Sequence, residues 1–165
     1  MNREELEAEL EKLHRASYAW SLSCCRGDRE EAEDVLQDSY LKTLDGRARF
    51  AGGSSFKTFL FGVVRRTAAE RRRRAWLHSL GLAAWSRGAL EAPPASRGIE
   101  ARSSRLERAL ARLATRQHEV LDLVFGHDMT VEEAARALGI SAGSARVHYH
   151  RGKKRLRQAL GEGEP

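Results

Sequence analysis

The segment TVEEAARALGISAGSARVHYHRGKKRL, residues 130–156, has the pattern of two short helices joined by a tight turn. Thr130 can cap the first helix, and Gly139 supplies the turn that ends it. These signals predict helices over 131–138 and 142–160. Two helices joined in this way form a helix-turn-helix, the unit that places its second helix in the major groove of DNA.

The second of these helices has two different faces. At about 100° per residue, small and apolar side chains fall on one narrow stripe: Ala145, Tyr149, Gly152 and Leu156. The side chains that point away from the stripe are mostly basic: Arg146, Val147, His150, Arg151 and Lys154. The stretch 146–157 holds six basic residues and no acidic one. We therefore predict that one face packs and the other meets DNA, the alternative being a basic face that is merely solvated.

Helical periodicity continues along the rest of the chain, without the alternation typical of strands. The other predicted helices cover 3–25, 29–44, 56–76 and 105–126. Over 79–104 the composition shifts to proline, glycine and serine, which is typical of a flexible linker. We therefore predict an all-α protein with two small helical modules joined by that linker. They are an N-terminal helical bundle over 1–78 and a C-terminal helix-turn-helix module over 105–160.

The composition limits the class of protein. The chain has 165 residues, a net charge of +6 and two adjacent cysteines, Cys24 and Cys25. Its longest apolar run spans only residues 59–64, whereas a membrane helix needs about 20 apolar residues. Adjacent cysteines rarely bridge each other. We therefore expect a cytoplasmic protein without membrane insertion and without a disulfide framework.

Charge is distributed unevenly along the chain. Residues 1–45 carry 6 basic and 12 acidic side chains, a net charge of −6. Residues 46–165 carry 23 basic and 11 acidic ones, a net charge of +12. The basic part favours a polyanion such as nucleic acid. The acidic part predicts a different partner, which we expect to be a protein.

The acidic part contains a helix with one distinctive polar surface. Its members lie three, four and seven residues apart: Asp34, Gln37, Asp38 and Leu41. Residues at these spacings share one face of a helix. Two acids, an amide and a leucine are unsuited to DNA and suit a basic protein partner, although an ordinary solvated face has the same pattern.

The third predicted helix combines aromatic rings with a run of arginines. Six arginines and one glutamate lie between residues 65 and 74, and four phenylalanines precede them: Phe50, Phe56, Phe59 and Phe61. Rings beside a basic track suit unstacked single-stranded bases. We expect Phe56 and Phe59 to lie in the core, and Phe61 and the loop glycines to be better placed for contact.

These patterns together resemble the extracytoplasmic-function (ECF) group of sigma factors of the sigma-70 family, which direct bacterial RNA polymerase to promoters. Residues 31–44 and 50–74 are similar to the second conserved region of the family, and residues 106–157 to its fourth. The two matches occur in the family's order and at its spacing. The resemblance implies an alternative sigma factor that binds core polymerase and promoter DNA and is not itself an enzyme.

The resemblance also implies functional residues. Asp34, Gln37 and Asp38 match the surface for the clamp helices of the largest polymerase subunit, and Leu41 lies beside them. The loop before the third helix and the face of that helix match the reader of the minus-ten element, where a base is flipped from the duplex: Phe50, Gly52, Gly53, Ser54, Ser55, Lys57, Phe61, Arg65 and Arg66. The reader of the minus-thirty-five element would comprise Ser144, Arg146, Val147, His150, Arg151 and Lys154. The family also implies a cognate anti-sigma factor.

Two positions depart from the pattern of the family. Its third helix often has Asn and, four residues later, Asp, where this chain has Arg66 and Glu70. Because Arg favours guanine or phosphate where Asn favours adenine, we expect a different minus-ten preference.

Other classes of protein make different demands on the sequence. A stand-alone helix-turn-helix regulator would need a dimerisation domain or a ligand pocket, which residues 1–78 do not predict. A small RNA-processing enzyme would need a catalytic acid or a metal cluster. The chain has no C-x₂-C pair and no H-x₃-H spacing, and His148 and His150 diverge on their helix. We therefore expect no metal and no cofactor. A regulator that acts mainly with an inhibitor is compatible with a sigma factor.

Overall fold

The computed structural model describes residues 1–85 and 105–161, and the regular structure in those ranges is entirely helical, which confirms the predicted all-α class. The helices are α1 (Arg3–Cys24), α2 (Arg29–Leu44), α3 (Phe56–Trp85), α4 (Arg105–Ala111), α5 (Thr115–Leu121), α6 (Val131–Leu138) and α7 (Ala142–Gly161). A π-helical turn, Asp122–Gly126, follows α5 directly. Within the described ranges, none of these helices has the length and apolar character that crossing a membrane requires.

The chain forms two compact units. Their segments are Met1–Ala51 with Val63–Gly98 for the first unit, and Gly52–Gly62 with Ile99–Pro165 for the second. The loop before α3 and the first turns of α3 therefore belong to the same unit as the C-terminal helices. The domain boundaries predicted from the sequence, 1–78 and 105–160, stay a prediction.

The third helix is longer than its apolar pattern predicts. The prediction ended it at residue 76, whereas α3 continues to Trp85. The added residues, LHSLGLAAW, are mostly leucine and alanine, which favour helix even where they do not pack. The predicted linker therefore begins inside a helix, and its remainder, residues 86–104, lies outside the described part of the chain.

The single helix predicted over 105–126 is broken into shorter pieces. The N–H groups of Arg112 and Leu113 donate to carbonyls three residues back, at 3.3 and 3.1 Å, as in a tight turn. The backbone then becomes extended at Ala114, the residue before α5. The sequence does not reveal this break, because apolar side chains recur at helical spacing on both sides of it.

In the first unit, α1 and α2 pack against each other. Asp28 caps α2 by accepting a hydrogen bond from the N–H of Glu31 at 3.1 Å, as predicted. Trp20 is fully buried, and the Ser21 hydroxyl donates to the carbonyl of Ala32 at 2.7 Å. A large apolar side chain contributes about 1.5–3 kcal/mol when it leaves water. This packing therefore decides which face of α2 stays at the surface.

In the second unit, the helix-turn-helix forms as predicted. Thr130 caps α6 in a capping box with Glu133, and Gly139 ends the helix with a left-handed φ of +65°. Glycine adopts this conformation at little cost. Ala145 and Gly152 are the buried residues of α7, so the opposite side of that helix faces solvent.

Candidate functional site

The acidic face of α2 comprises Asp34, Gln37, Asp38 and Leu41 and lies at the surface of the first unit. Asp34 and Gln37 are exposed and Asp38 is half-buried. Leu41 is 49% exposed, although it is apolar. The face therefore offers a basic protein both ion pairing and an apolar contact.

Three carboxylates of α2 share one arginine of α3. Arg71 Nε donates to Glu31 at 2.9 Å, Nη2 to Asp34 at 2.7 Å and Nη1 to Asp38 at 3.0 Å. These hydrogen bonds, led by the one to Glu31, raise the pKa of Arg71 above its ordinary value. Sequence reasoning missed this contact, because Arg71 is one of six similar arginines and only the packing of α3 beside α2 distinguishes it.

A second ion pair joins the same two helices. Lys42 Nζ lies 2.6 Å from Glu70 Oε2 and 3.1 Å from Thr67 Oγ1. Glu70 is one of the two positions that depart from the family pattern, and in this chain its carboxylate holds α2. A polar cavity of about 140 Å³ adjoins both ion pairs, and its lining residues are Asp38, Lys42, Arg47, Thr67, Glu70, Arg71 and Arg74.

The residues expected to read the minus-ten element lie on the loop before α3 and on α3 itself. Four of them are exposed: Gly52, Gly53, Ser55 and Arg66. Four are half-buried: Phe50, Ser54, Lys57 and Arg65. Gly52 has a φ of +78°, a conformation that favours glycine and fixes the direction of the loop. The loop glycines and Arg66 are therefore within reach of a ligand.

Phe61 is the exception among these residues, because it is fully buried. Its ring packs edge-to-face on His127, with 4.9 Å between the ring centroids, inside the second unit. Lys57 Nζ donates to the backbone carbonyl of His127 and lies 5.8 Å from the centre of the Phe61 ring. The expectation that Phe61 is better placed for contact than Phe56 and Phe59 is therefore wrong in this structure. Its role in DNA binding stays a prediction.

The surroundings of His127 disfavour its charged form. Burial lowers the pKa of His127 below the ordinary value of 6.5, and the charge of Lys57 acts in the same direction. The carboxylates of Asp122 and Asp128 oppose this shift. A neutral ring can lie against an aromatic side chain without the cost of burying a charge.

The face of α7 expected to read the minus-thirty-five element is exposed throughout. Its residues are Ser144, Arg146, Val147, His150, Arg151 and Lys154. Arg146 Nη2 donates to Glu132 Oε1 on α6 at 2.6 Å, and this hydrogen bond lowers the pKa of Glu132. An exposed helix face with several cations and no acid is suited to the major groove.

An aromatic pair beside this face was not expected from the sequence. Phe125 is 61% exposed and stacks on Tyr149, with 6.0 Å between centroids and 21° between planes. Lys153 Nζ lies 5.1 Å from the centre of the Tyr149 ring. The sequence placed Phe125 among the apolar residues of a regular helix. The wider π-helical turn changes the angle at which it leaves the backbone.

Cys24 and Cys25 are both half-buried. Burial raises the pKa of Cys25 to about 11, with a further contribution from the charge of Glu31. Among the described residues, no group of three or more His, Cys, Asp or Glu side chains could hold a metal ion.

Comparison with known proteins identifies both halves of the chain. Residues 9–78 match the family Sigma-70 region 2, and residues 103–156 match Sigma-70, region 4. The sigma factor CarQ of Myxococcus xanthus is 33% identical over 135 residues, covering 79% of this chain and 75% of CarQ. The ECF sigma factor ShbA of Streptomyces griseus is 33% identical over 141 residues, covering 81% of this chain and 73% of ShbA. The chain belongs to the ECF sigma factors.

Two solved structures share the fold of this ECF sigma factor. The sigma factor RpoE from Bartonella quintana, solved with the anti-sigma factor NepR, superimposes with a TM-score of 0.73 at 23% identity, over 97% of this chain and 99% of RpoE. CnrH, solved with the cytosolic domain of CnrY, gives a TM-score of 0.66 at 20% identity, over 99% of this chain and 92% of CnrH.

The function follows from the family. This ECF sigma factor directs promoter recognition and transcription initiation by RNA polymerase. A stand-alone helix-turn-helix regulator is not favoured, because such a protein does not account for the match to Sigma-70 region 2 over residues 9–78.

Proposed function

We propose that this ECF sigma factor binds the clamp helices of the largest polymerase subunit through the acidic face of α2. The observation that supports this assignment most directly is the exposure of Asp34, Gln37 and Leu41 on one side of a helix whose other side is buried. Opposite charges across an interface steer the encounter and select the partner. The polymerase surface is accordingly expected to be basic around an apolar pocket for Leu41.

The exposed face of α7 is the proposed reader of the minus-thirty-five element. Arg146, His150 and Arg151 would face base edges with α7 in the major groove, where arginine can pair with guanine through two hydrogen bonds. Arg146 would first exchange its ion pair with Glu132 for contacts with DNA. Ser144 and Val147 complete the face. Lys154 lies nearer the end of the helix, where the proposal gives it a phosphate contact that adds affinity without sequence preference.

The loop before α3 and the exposed side of α3 are the proposed readers of the minus-ten element. The loop glycines allow a base to approach the backbone closely, and Arg66 can contact guanine or phosphate. Lys57 and Phe61 would join this surface only after exchanging their contacts with His127 for contacts with DNA. Binding energy would hold the flipped base, so strand opening would need no catalytic group in this chain.

The proposal includes the setting in which the protein acts. It would work in the cytoplasm with core polymerase and promoter DNA, without enzymatic activity, metal or cofactor of its own. RpoE was solved with the anti-sigma factor NepR, and CnrH with the cytosolic domain of CnrY. By analogy, we propose that an anti-sigma factor binds this chain when transcription of its promoters is not required.

Run-off transcription with purified core polymerase and a genomic promoter library tests the proposal. Core polymerase with this chain should transcribe a defined set of promoters that core polymerase alone does not. A variant with Asp34 and Gln37 replaced by alanine should keep its helical circular dichroism and bind core polymerase more weakly, because truncating one partner of a desolvated charge pair costs about 2–5 kcal/mol. Unchanged affinity of that folded variant would contradict the assignment of the acidic face.

A further inference from the structure

We propose that Arg71 is a positioning residue that holds the acidic face of α2 ready for polymerase. This inference rests on the proposed function of that face. The three carboxylates bound by Arg71 come from successive turns of α2, at Glu31, Asp34 and Asp38, whereas Arg71 comes from α3. One side chain from a neighbouring helix therefore fixes two of the four residues of the acidic face.

All three nitrogen atoms of the Arg71 guanidinium group donate hydrogen bonds. Nε, Nη1 and Nη2 each donate to a different carboxylate, and Nη2 makes a second, longer bond of 3.3 Å to Glu31. Without a cation between them, like charges at these spacings on one helix repel each other. A lysine ammonium is a single point charge and lacks the planar fork that reaches several carboxylates at once.

The carboxylates are fixed but remain accessible. The Arg71 side chain is 27% exposed, whereas Asp34 and Asp38 are 52% and 40% exposed. One arginine against three carboxylates leaves the cluster with a net charge of −2. The cluster therefore still attracts a basic partner, and side chains that are already ordered lose less entropy when that partner binds.

Charge and positioning predict opposite effects of removing Arg71, which makes the inference testable. Arg71→Ala makes the face more negative, and charge alone would then strengthen binding to a basic surface. Positioning predicts weaker binding, because the carboxylates become mobile. A titration of labelled chain with core polymerase should give a dissociation constant roughly three- to tenfold higher for Arg71→Ala.

A variant cycle shows whether Arg71 acts through the acidic face. The change Arg71→Ala is repeated in a chain whose Asp34 and Asp38 are already alanine. In that background it should leave the dissociation constant unchanged within about twofold, because coupled residues are not additive. Arg71→Lys should recover less than half of the lost affinity. Arg15→Ala removes the same charge from an exposed site on α1 and should bind like the wild type.

Each outcome has a defined meaning. Three results would overturn the inference: wild-type or tighter binding by Arg71→Ala, additive effects in the cycle, or full recovery by Arg71→Lys. The proposed function would still stand in each case if Asp34→Ala weakens binding. If neither Asp34→Ala nor Arg71→Ala weakens binding, both fail. Circular dichroism accompanies every variant. If Arg71→Ala loses helical signal, the cycle is measured with Arg71→Gln, and the same outcomes apply.

Discussion

Replacing Gly152 by alanine tests the close approach of α7 to α5. A Cβ atom at this position would lie 3.0 Å from Leu121 Cδ1 and 3.3 Å from Gln117 Cβ. Both distances are shorter than ordinary van der Waals contact. Leu121 is 2% exposed and Gln117 is 6% exposed, so a shift of either side chain would displace other buried atoms.

Two opposing terms set the magnitude of this change. Alanine is more favourable than glycine inside a helix by about 1 kcal/mol. An extra methyl group in a packed core typically costs about 1–3 kcal/mol. Because two buried neighbours would have to shift, we expect the packing term to exceed the helix term. Gly152→Ala should then lower the free energy of unfolding of the second unit by about 1 kcal/mol, or its melting temperature by about 4–8 °C.

Gly143→Ala is the matched control, since it makes the same chemical change on the same helix. A Cβ atom there would meet only Ser141 Oγ, at 3.9 Å, so this variant should be as stable as the wild type or more so. Thermal and urea unfolding followed by circular dichroism measure both variants. The reasoning would be refuted if Gly152→Ala were stabilised as much as Gly143→Ala, because the close contact would then carry no cost.

Three further expectations follow from the second unit and the cysteines. Arg151→Ala should reduce the free energy of binding to the preferred upstream element by about 1–3 kcal/mol and relax the preference at one base pair. Lys154→Ala should weaken binding to all sequences about equally and reduce the salt dependence of binding by about one phosphate contact. Equal, uniform losses for both variants in matched promoter-binding titrations would show that this face does not read sequence. Burial lowers the pKa of His127, so the folded state disfavours protonation. This contribution to the free energy of unfolding is complete above about pH 6.5 and declines as the pH falls towards the lower folded pKa. As the pH is lowered, the urea midpoint should therefore decrease more steeply in the wild type than in His127→Gln. With its pKa raised to about 11, Cys25 should react with iodoacetamide at pH 8 more than about tenfold slower in the folded than in the urea-denatured chain, measured by mass spectrometry with the other cysteine replaced by serine; equal rates would contradict the burial of its thiol.

Local features of this protein could be predicted from the sequence alone. The caps at Asp28 and Thr130, the left-handed turn at Gly139 and the exposed cations of α7 depend on residues within one or two helical turns of each other. Hydrogen bonds at helix ends and the angular spacing of side chains are fixed over such short distances. Both helices of the helix-turn-helix were therefore predicted to within one residue of their observed ends.

Tertiary structure decided the features that depend on a neighbour far along the chain. Nothing near Arg71 in the sequence distinguishes it from the other arginines of α3, and it is selected only because it lies across from three carboxylates of α2. The position of Phe61 along its helix predicted a side chain available for contact. In the structure, His127, 66 positions further along the chain, packs against its ring. The neighbouring sequence determines which helix a side chain belongs to and on which face of that helix it lies. Its ion-pair partner, or the residue that buries it, depends on tertiary structure, because only the fold brings those atoms together.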